Sequence, residues 1–324
     1  MSTPTMRALR CLSKGQPPVL ETIARPQPAA GELRVKIAAC GLNFADLLMV
    51  QGSYQETPAY PFTMGMEVSG VVDALGEGVS GPAVGTPVLV FGGQGGLANY
   101  ACFDASRVTP LPQGTDMVSA AALQVAYGTS HVALGYKAGL KAGETLLVLG
   151  AAGGVGLTAV EIGKLMGATV IACARGADKL AVAKAAGADH LIDAEKDDIR
   201  EAVRALGGAD VVYDPVGGDQ FKAAMRACNP EARLLSIGFA SGEVPQVPAN
   251  ILLVKNLTVM GFYWGGYLAF KPSVVTDSLT ELVRWHAEGK IKPHVSHALP
   301  LEQALEGMEL LRSRKSTGKV VITL

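Results

Sequence analysis

Residues 146–168 read LLVLGAAGGVGLTAVEIGKLMGA, and the fold turns on this stretch. Four apolar residues, Leu146, Leu147, Val148 and Leu149, run into the turn Gly150-Ala151-Ala152-Gly153-Gly154-Val155-Gly156. Beyond it Leu157, Val160, Ile162, Leu165 and Met166 recur at helical spacing. A strand, a tight glycine turn and a helix form the unit that binds a dinucleotide pyrophosphate. The glycines let backbone N–H groups approach the phosphates, and the helix N-terminus supplies positive partial charge. A glycine turn alone also serves ordinary loops, so the flanking chain decides.

Downstream, apolar β segments at 145–149, 169–174, 190–192, 210–213, 233–237 and 257–262 alternate with helical patterns at 178–186, 198–206 and 219–228. That alternation predicts an α/β fold with a doubly wound parallel six-stranded sheet. Residues 1–110 instead show short runs at 6–12, 32–39, 66–75, 86–91 and 97–103, separated by Pro and Gly, with one loop-and-helix excursion at 43–60. A helical pattern at 120–139 leads into the first sheet strand, and a helix at 273–288 precedes a mixed segment. The expected organisation is a β-rich domain in two parts, 1–121 and 264–324, with a nucleotide-binding domain at 122–263 inserted between them.

The bulk numbers agree. A chain of 324 residues is long for one core and suggests two domains. With 49% hydrophobic residues, 18% charged and a net charge of -1, it reads as soluble, with no bias toward nucleic acid or acidic surfaces. No apolar run approaches the roughly 18–20 residues that cross a bilayer. The start, MSTPTMRALRCLSKGQ, lacks the apolar core of a signal peptide. Cys11, Cys40, Cys102, Cys173 and Cys228 are scattered and never form C-x-x-C, which points to reduced thiols and a cytoplasmic location.

The second sheet strand, Val170-Ile171-Ala172-Cys173-Ala174, ends at Arg175-Gly176. An Asp or Glu there would bind the 2′-hydroxyl of NAD. The first acid, Asp178, reads as the cap of the next helix. A cation without a carboxylate favours a 2′-phosphate, so the expected cofactor is NADPH, with Arg175 as clamp and Lys179 as a second charge. The plainer alternative makes Arg175 a solvated loop residue. The pyrophosphate set is Ala151, Ala152, Gly153, Gly154, Val155 and Gly156. Later strand ends add Val216 and Gly217, Gly238 and Phe239, and Phe262, Tyr263 and Trp264, because ligands sit at the carboxyl ends of such strands. The basic run 312–319 reads as a helix C-terminus with Gly318 in the following turn, and Arg314 or Lys319 is a further candidate for the cofactor phosphate.

Two motifs, Ala38-Ala39-Cys40-Gly41-Leu42-Asn43-Phe44-Ala45-Asp46 and Pro61-Phe62-Thr63-Met64-Gly65-Met66-Glu67-Val68-Ser69-Gly70, make the pattern specific. With AAGGVG and Gly96-Leu97-Ala98-Asn99-Tyr100 they resemble the zinc-independent quinone oxidoreductase, zeta-crystallin-like branch of the medium-chain dehydrogenase/reductase superfamily. The resemblance spans essentially the whole chain and implies a GroES-like catalytic domain around a Rossmann domain. The zinc alcohol dehydrogenases of that superfamily carry roughly C-G-x-C-H-T-D and G-H-E; here Asn43 and Met66 stand at their cysteine and histidine ligand positions, and 123–127 holds no Cys. Zinc needs three or four N, S or O ligands, so no metal is expected. His294 and His297 read as strand or loop histidines.

Without a Lewis acid, the hydride acceptor must already be electron-poor: a quinone, an enone or an enoyl thioester. By resemblance Asn43 and Tyr54 are the catalytic residues, lining the cleft beside the nicotinamide and each donating a hydrogen bond to a carbonyl oxygen that gains charge. Read locally, Asn43 serves equally well to stabilise its turn, and Tyr54 to pack. Met64, Met66, Gln124 and Tyr263 are the candidate substrate pocket, and Glu67 reads as a structural ion-pair residue. The leading expectation is an NADPH-dependent quinone reductase, followed by a 2-enoyl reductase and by an NADPH-binding sensor or RNA-binding protein with little turnover. The chain lacks a basic, aromatic-interleaved patch, which argues against nucleic acid. The last strand, Leu257-Thr258-Val259-Met260-Gly261, is an edge suited to homodimer pairing.

Overall fold

Strands dominate the first part of the chain because their side chains alternate between core and solvent. In order they are β1 Thr5–Cys11, β2 Val19–Ala24, β3 Glu32–Gly41, β4 Phe62–Thr63, β5 Glu67–Leu75, β6 Pro87–Phe91, β7 Tyr100–Asp104 and β8 Val108–Pro110. Helix α1 Phe44–Val50 interrupts them, and α2 Met117–Ala121 and α3 Gln124–His131 follow. The computed structural model describes residues 4–324. They divide into one unit running up to Val125 and resuming at Val283–Leu324, and a second unit, Ala126–Leu282.

The second unit carries β9 Thr145–Leu149, α4 Gly154–Leu165, β10 Thr169–Ala174, α5 Ala177–Ala185, β11 His190–Asp193 and α6 Ile199–Ala205. It continues through β12 Ala209–Asp214, α7 Gly218–Ala227, β13 Cys228–Ser236, α8 Ala249–Lys255, β14 Thr258–Gly261, α9 Tyr267–Phe270 and α10 Pro272–Ala287. The chain then returns to the first unit with β15 Val295–Pro300, α11 Ala304–Arg312 and β16 Lys319–Thr323.

The second unit is the expected doubly wound sheet, order β11-β10-β9-β12-β13-β14, parallel throughout. Its strands are apolar on both faces because helices cover both. Leu147, Leu149, Ile171, Val212 and Leu234 meet Phe221 and Met225 of α7 in one core. The chain reverses between β9 and β12, and that switch point is where ligands bind in such sheets.

In the first unit, β3 is central to a seven-stranded sheet ordered β15-β16-β3-β5-β6-β8, with β7 also on β3. One edge of β3 pairs with β5 along its length; the other is shared by β7 at Glu32–Lys36 and by β16 near Gly41. β2, which has no apolar run of its own, is held by its pairing to β1, from Thr5↔Ala24 to Arg10↔Val19.

The nucleotide unit extends to Leu282 rather than ending at 263. The segment after β14 folds back onto its own unit: Trp264 lies against Gly128, the Tyr267 and Tyr136 rings meet edge-on at 6.0 Å, and His131 Nδ1 bonds Ser278 Oγ at 2.8 Å. Both breaks fall inside helices α3 and α10, where no change of composition marks them. Among the described residues, no helix is long and apolar enough to cross a membrane.

Candidate active site

The glycine turn lies at the carboxyl end of β9, and one close approach and one left-handed φ dictate its residues. A Cβ on Gly156 would stand 2.2 Å from Gly150 O, so only glycine lets α4 start this close to the strand. Gly150 itself has φ +58°, the left-handed region that glycine enters without strain. The Gly153 amide donates to Gly150 O at 2.9 Å and closes the turn. Beneath α4, Ser130 Oγ donates to Val155 O at 3.0 Å and joins Thr158 Oγ1 at 2.8 Å and Tyr213 OH at 3.0 Å, anchoring the first helical turn to β12.

Neighbouring strand ends gather at the same place. Val216 packs against Gly150, and the Ala240 amide donates to Pro215 O at 3.0 Å, so the turns after β12 and β13 meet beside the glycine turn. Phe239 lies close to Gly217. The Val216 and Gly217 amides donate to Asp214 Oδ1 at 2.8 and 2.9 Å, so these two N–H groups are already committed. Burial pushes the Asp214 carboxyl up to about 6, with those amides acting in the opposite direction. Past β10, Arg175 is exposed and Lys179 half-buried. The cap of α5 is Gly176, not Asp178, which sits in the first helical turn; Gly176 has φ +79° and its amide donates to Asp193 Oδ1 at 3.0 Å. Phe262 and Trp264 are buried, and Tyr263 is half-buried over Gly265 and Gly266.

The first unit holds a buried charged cluster. Lys319 Nζ donates to Glu67 Oε1 at 2.7 Å, Asn43 Oδ1 at 2.8 Å and Leu42 O at 2.8 Å, which engages all three ammonium protons. The Lys319 and Glu67 side chains are 5% and 0% exposed. Asn43 Nδ2 donates to Glu67 Oε1 at 2.9 Å and makes a long 3.3 Å contact with Gly41 O. Glu67 Oε2 accepts from the Val125 amide at 2.8 Å. The Asn43 amide donates to Asp46 Oδ2 at 2.8 Å at the start of α1, and burial raises the Asp46 carboxyl to about 6. Burial, then the Asp46 and Glu67 charges, push the Cys40 thiol well up. Lys319 is therefore no phosphate ligand, contrary to one sequence expectation: its charge is spent within the core. Glu67 is the ion-pair residue expected.

Tyr54 lies in the irregular loop after α1, half-buried, its carbonyl accepting from Thr57 Oγ1 at 2.8 Å. Met64 is 0% exposed and has no surface to offer a ligand, while Met66 is 3% and Gln124 1% exposed. Among the described residues, the Gln124 side chain makes only a 3.5 Å contact with Val68 O, and its Oε1 has no partner. His294 Nε2 bonds Thr317 Oγ1 at 2.9 Å and His297 Nδ1 bonds Ser296 Oγ at 3.0 Å.

A family model described as zinc-binding dehydrogenase matches residues 154–283, and one described as the GroES-like domain of alcohol dehydrogenases matches 29–113. A quinone oxidoreductase-like protein 2 homolog from Nematostella vectensis is 38% identical over 323 residues, covering 98% of this chain and 88% of that protein. The chain belongs to the quinone oxidoreductase-like branch of the medium-chain dehydrogenase/reductase superfamily. Within this superfamily, a mycobacterial protein solved in complex with NADPH superposes with a TM-score of 0.91 at 30% identity, covering 98% of this chain and 100% of that one. The quinone oxidoreductase of Thermus thermophilus, solved alone and with NADPH, gives 0.87 at 32% identity, with 98% and 100% covered.

Zinc, which one family description implies, does not fit the donors at the superfamily's ligand positions. The Asn43 amide is bonded to an ammonium and a carboxylate, and Met66 offers a buried thioether. A divalent cation beside Glu67 would face the Lys319 ammonium at short range. Among the described residues, no three or more His, Cys, Asp or Glu side chains are arranged to hold a metal ion.

Sequence reasoning missed Asp214 and Asp193 as organisers of turns, although each is an acid ending an apolar strand. It also missed the Lys319–Asn43 contact, for which a separation of 276 residues leaves no local signal.

Proposed function

We propose that this oxidoreductase transfers hydride from NADPH to quinones or similarly electron-poor carbonyl acceptors, with no catalytic metal. The observation that carries the reading is the end of β10. An exposed Arg175 stands where an acid would select NAD, while Asp193 Oδ1 accepts from the Gly176 and Glu195 amides at 3.0 and 3.1 Å and its Oδ2 faces Lys196 Nζ at 3.5 Å.

NADPH supplies the hydride when bound. The α4 N-terminus and the backbone of Ala151, Ala152, Gly153, Gly154, Val155 and Gly156 hold the pyrophosphate. Arg175, with Lys179, pairs with the 2′-phosphate. Gly238, Phe239 and Tyr263 line the nucleotide further along; Val216 and Gly217 do so without their amides, which Asp214 occupies. Asn43 and Tyr54 donate to the acceptor oxygen as it gains charge. One Asn43 proton is held by Glu67, while the other, among the described residues, has only the long Gly41 contact, which a carbonyl oxygen displaces. The protein works in a reducing compartment, the cytoplasm, as five free cysteines suit, and forms a homodimer through the edge strand β14.

The test is NADPH oxidation against a panel of quinones, enones and enoyl thioesters, with and without prior dialysis against a chelator. Quinone turnover that survives chelation is expected. Tight NADPH binding with no oxidation by any acceptor would refute the reading and favour a sensor; turnover confined to thioesters would move the substrate class.

A further inference from the structure

The buried pair of opposite charges in the first unit touches both ends of one half-buried amide. Lys319 Nζ sits on Asn43 Oδ1 and Glu67 Oε1 sits on Asn43 Nδ2, while Lys319 and Glu67 also bond each other. We infer that Lys319 and Glu67 are positioning residues that clamp the Asn43 carboxamide in one of its two flip states and so hold its second N–H ready to donate. This rests on the reading of Asn43 as a donor to the substrate.

A carboxamide has nearly the same shape in both flip states, and only its hydrogen-bond partners tell oxygen from nitrogen. Rotated by half a turn, Asn43 would present NH₂ to an ammonium with all protons engaged and C=O to a carboxylate that only accepts. Both contacts become repulsive, and charged partners make the difference large in a site this dry. The fixed ends are rigid. Glu67 is held from its other oxygen by the Val125 amide, and Lys319 by Leu42 O. Gly41 lets the cluster close, since a Cβ there would stand 2.3 Å from Ala121 O and 3.0 Å from Glu67 Oε1. Buried ion pairs add little net stability compared with apolar packing, so orientation is what this pair contributes.

The experiment compares the charge-neutral double variant Lys319→Met/Glu67→Gln, the variant Asn43→Ala and the triple combination, using NADPH with 1,4-benzoquinone. The double variant is expected to stay folded with a modestly lower melting temperature and to keep its NADPH Kd, because the glycine turn belongs to the other unit, while kcat falls about tenfold or more. The triple variant is expected to be no slower than Asn43→Ala, since the pair acts only through that amide. A double variant with native kcat, or losses that simply multiply in the triple, overturns the inference. If Asn43→Ala keeps native kcat, the donor reading fails as well; Asn43→Ala impaired beside a native double variant sinks the clamp alone. Should the double variant not fold, the native protein still decides. The side-chain ¹⁵N–¹H₂ resonance of Asn43, assigned by its loss in Asn43→Asp, is expected well away from free-amide positions, with one proton protected from exchange. A free-amide shift with both protons exchanging rapidly overturns the proposal.

Discussion

Gly156→Ala tests the nucleotide turn most directly. The new Cβ would lie 2.2 Å from Gly150 O, 2.8 Å from Gly150 C and 3.0 Å from Ala151 Cα, all backbone atoms that cannot swing aside. Reaching an ordinary contact distance requires the strand end and the helix start to part by about 1 Å. Overpacking of this kind costs about 1–3 kcal/mol. Displacing Gly150 O also weakens the bond from the Gly153 amide, worth about 1 kcal/mol. Alanine returns about 1 kcal/mol as a better helix former. The net loss of roughly 1–3 kcal/mol lowers the melting temperature by about 3–10 °C for a unit of this size. Because the amides proposed to face the pyrophosphate move with the turn, the NADPH Kd, read by nicotinamide fluorescence, is expected to rise about tenfold or more. Gly163→Ala is the control. Its Cβ would meet Leu146 Cδ2 at 2.5 Å, a side-chain end on the same helix–strand interface, so stability falls while the Kd stays native. A Gly156→Ala protein with native melting temperature and Kd, or equal Kd losses in both variants, would refute the reasoning.

Three other outcomes follow from the geometry. Arg175→Ala is expected to lower kcat/KM with NADPH by about 10–100-fold and leave NADH nearly unchanged, as the loss of charge-assisted bonds to one phosphate predicts; a native NADPH-to-NADH ratio contradicts the clamp. Asp214 holds its proton up to about pH 6 in the fold, whereas an unfolded carboxyl releases it near 4. The folded state therefore binds the extra proton in that window, and the stabilising contribution declines as pH rises from about 4 to about 6. The melting temperature of the native protein minus that of Asp214→Asn should fall across this range and level off above about 7; a difference that grows with pH reverses the sign. Lys319→Met alone leaves Glu67 buried without its counter-charge and should cost about 3–5 kcal/mol in urea unfolding, most of it recovered when Glu67→Gln is added. Equal losses in the single and double variants would show that the charge pairing is irrelevant.

The sequence by itself determined what local chemistry fixes. Apolar strands ending in glycine turns, with helices between them, specify a parallel sheet, because strands buried on both faces have no polar alternation and the turns permit few residue types. The 150–156 turn, Arg175 and the absence of an acid beside it were legible for the same reason: each is a statement about a few consecutive residues. So was Glu67 as an ion-pair residue, but not its partner. Lys319 looked like one more cation at a helix end until β16 paired with β3 and carried it into the core against Glu67 and Asn43. Strand β2 was hidden because its pairing with β1, not its own pattern, makes it a strand. The break at Leu282 was hidden because the boundary runs through a continuous helix. Burial and long-range pairing depend on the whole path of the chain, so only the tertiary structure decided which charges face water and which face one another.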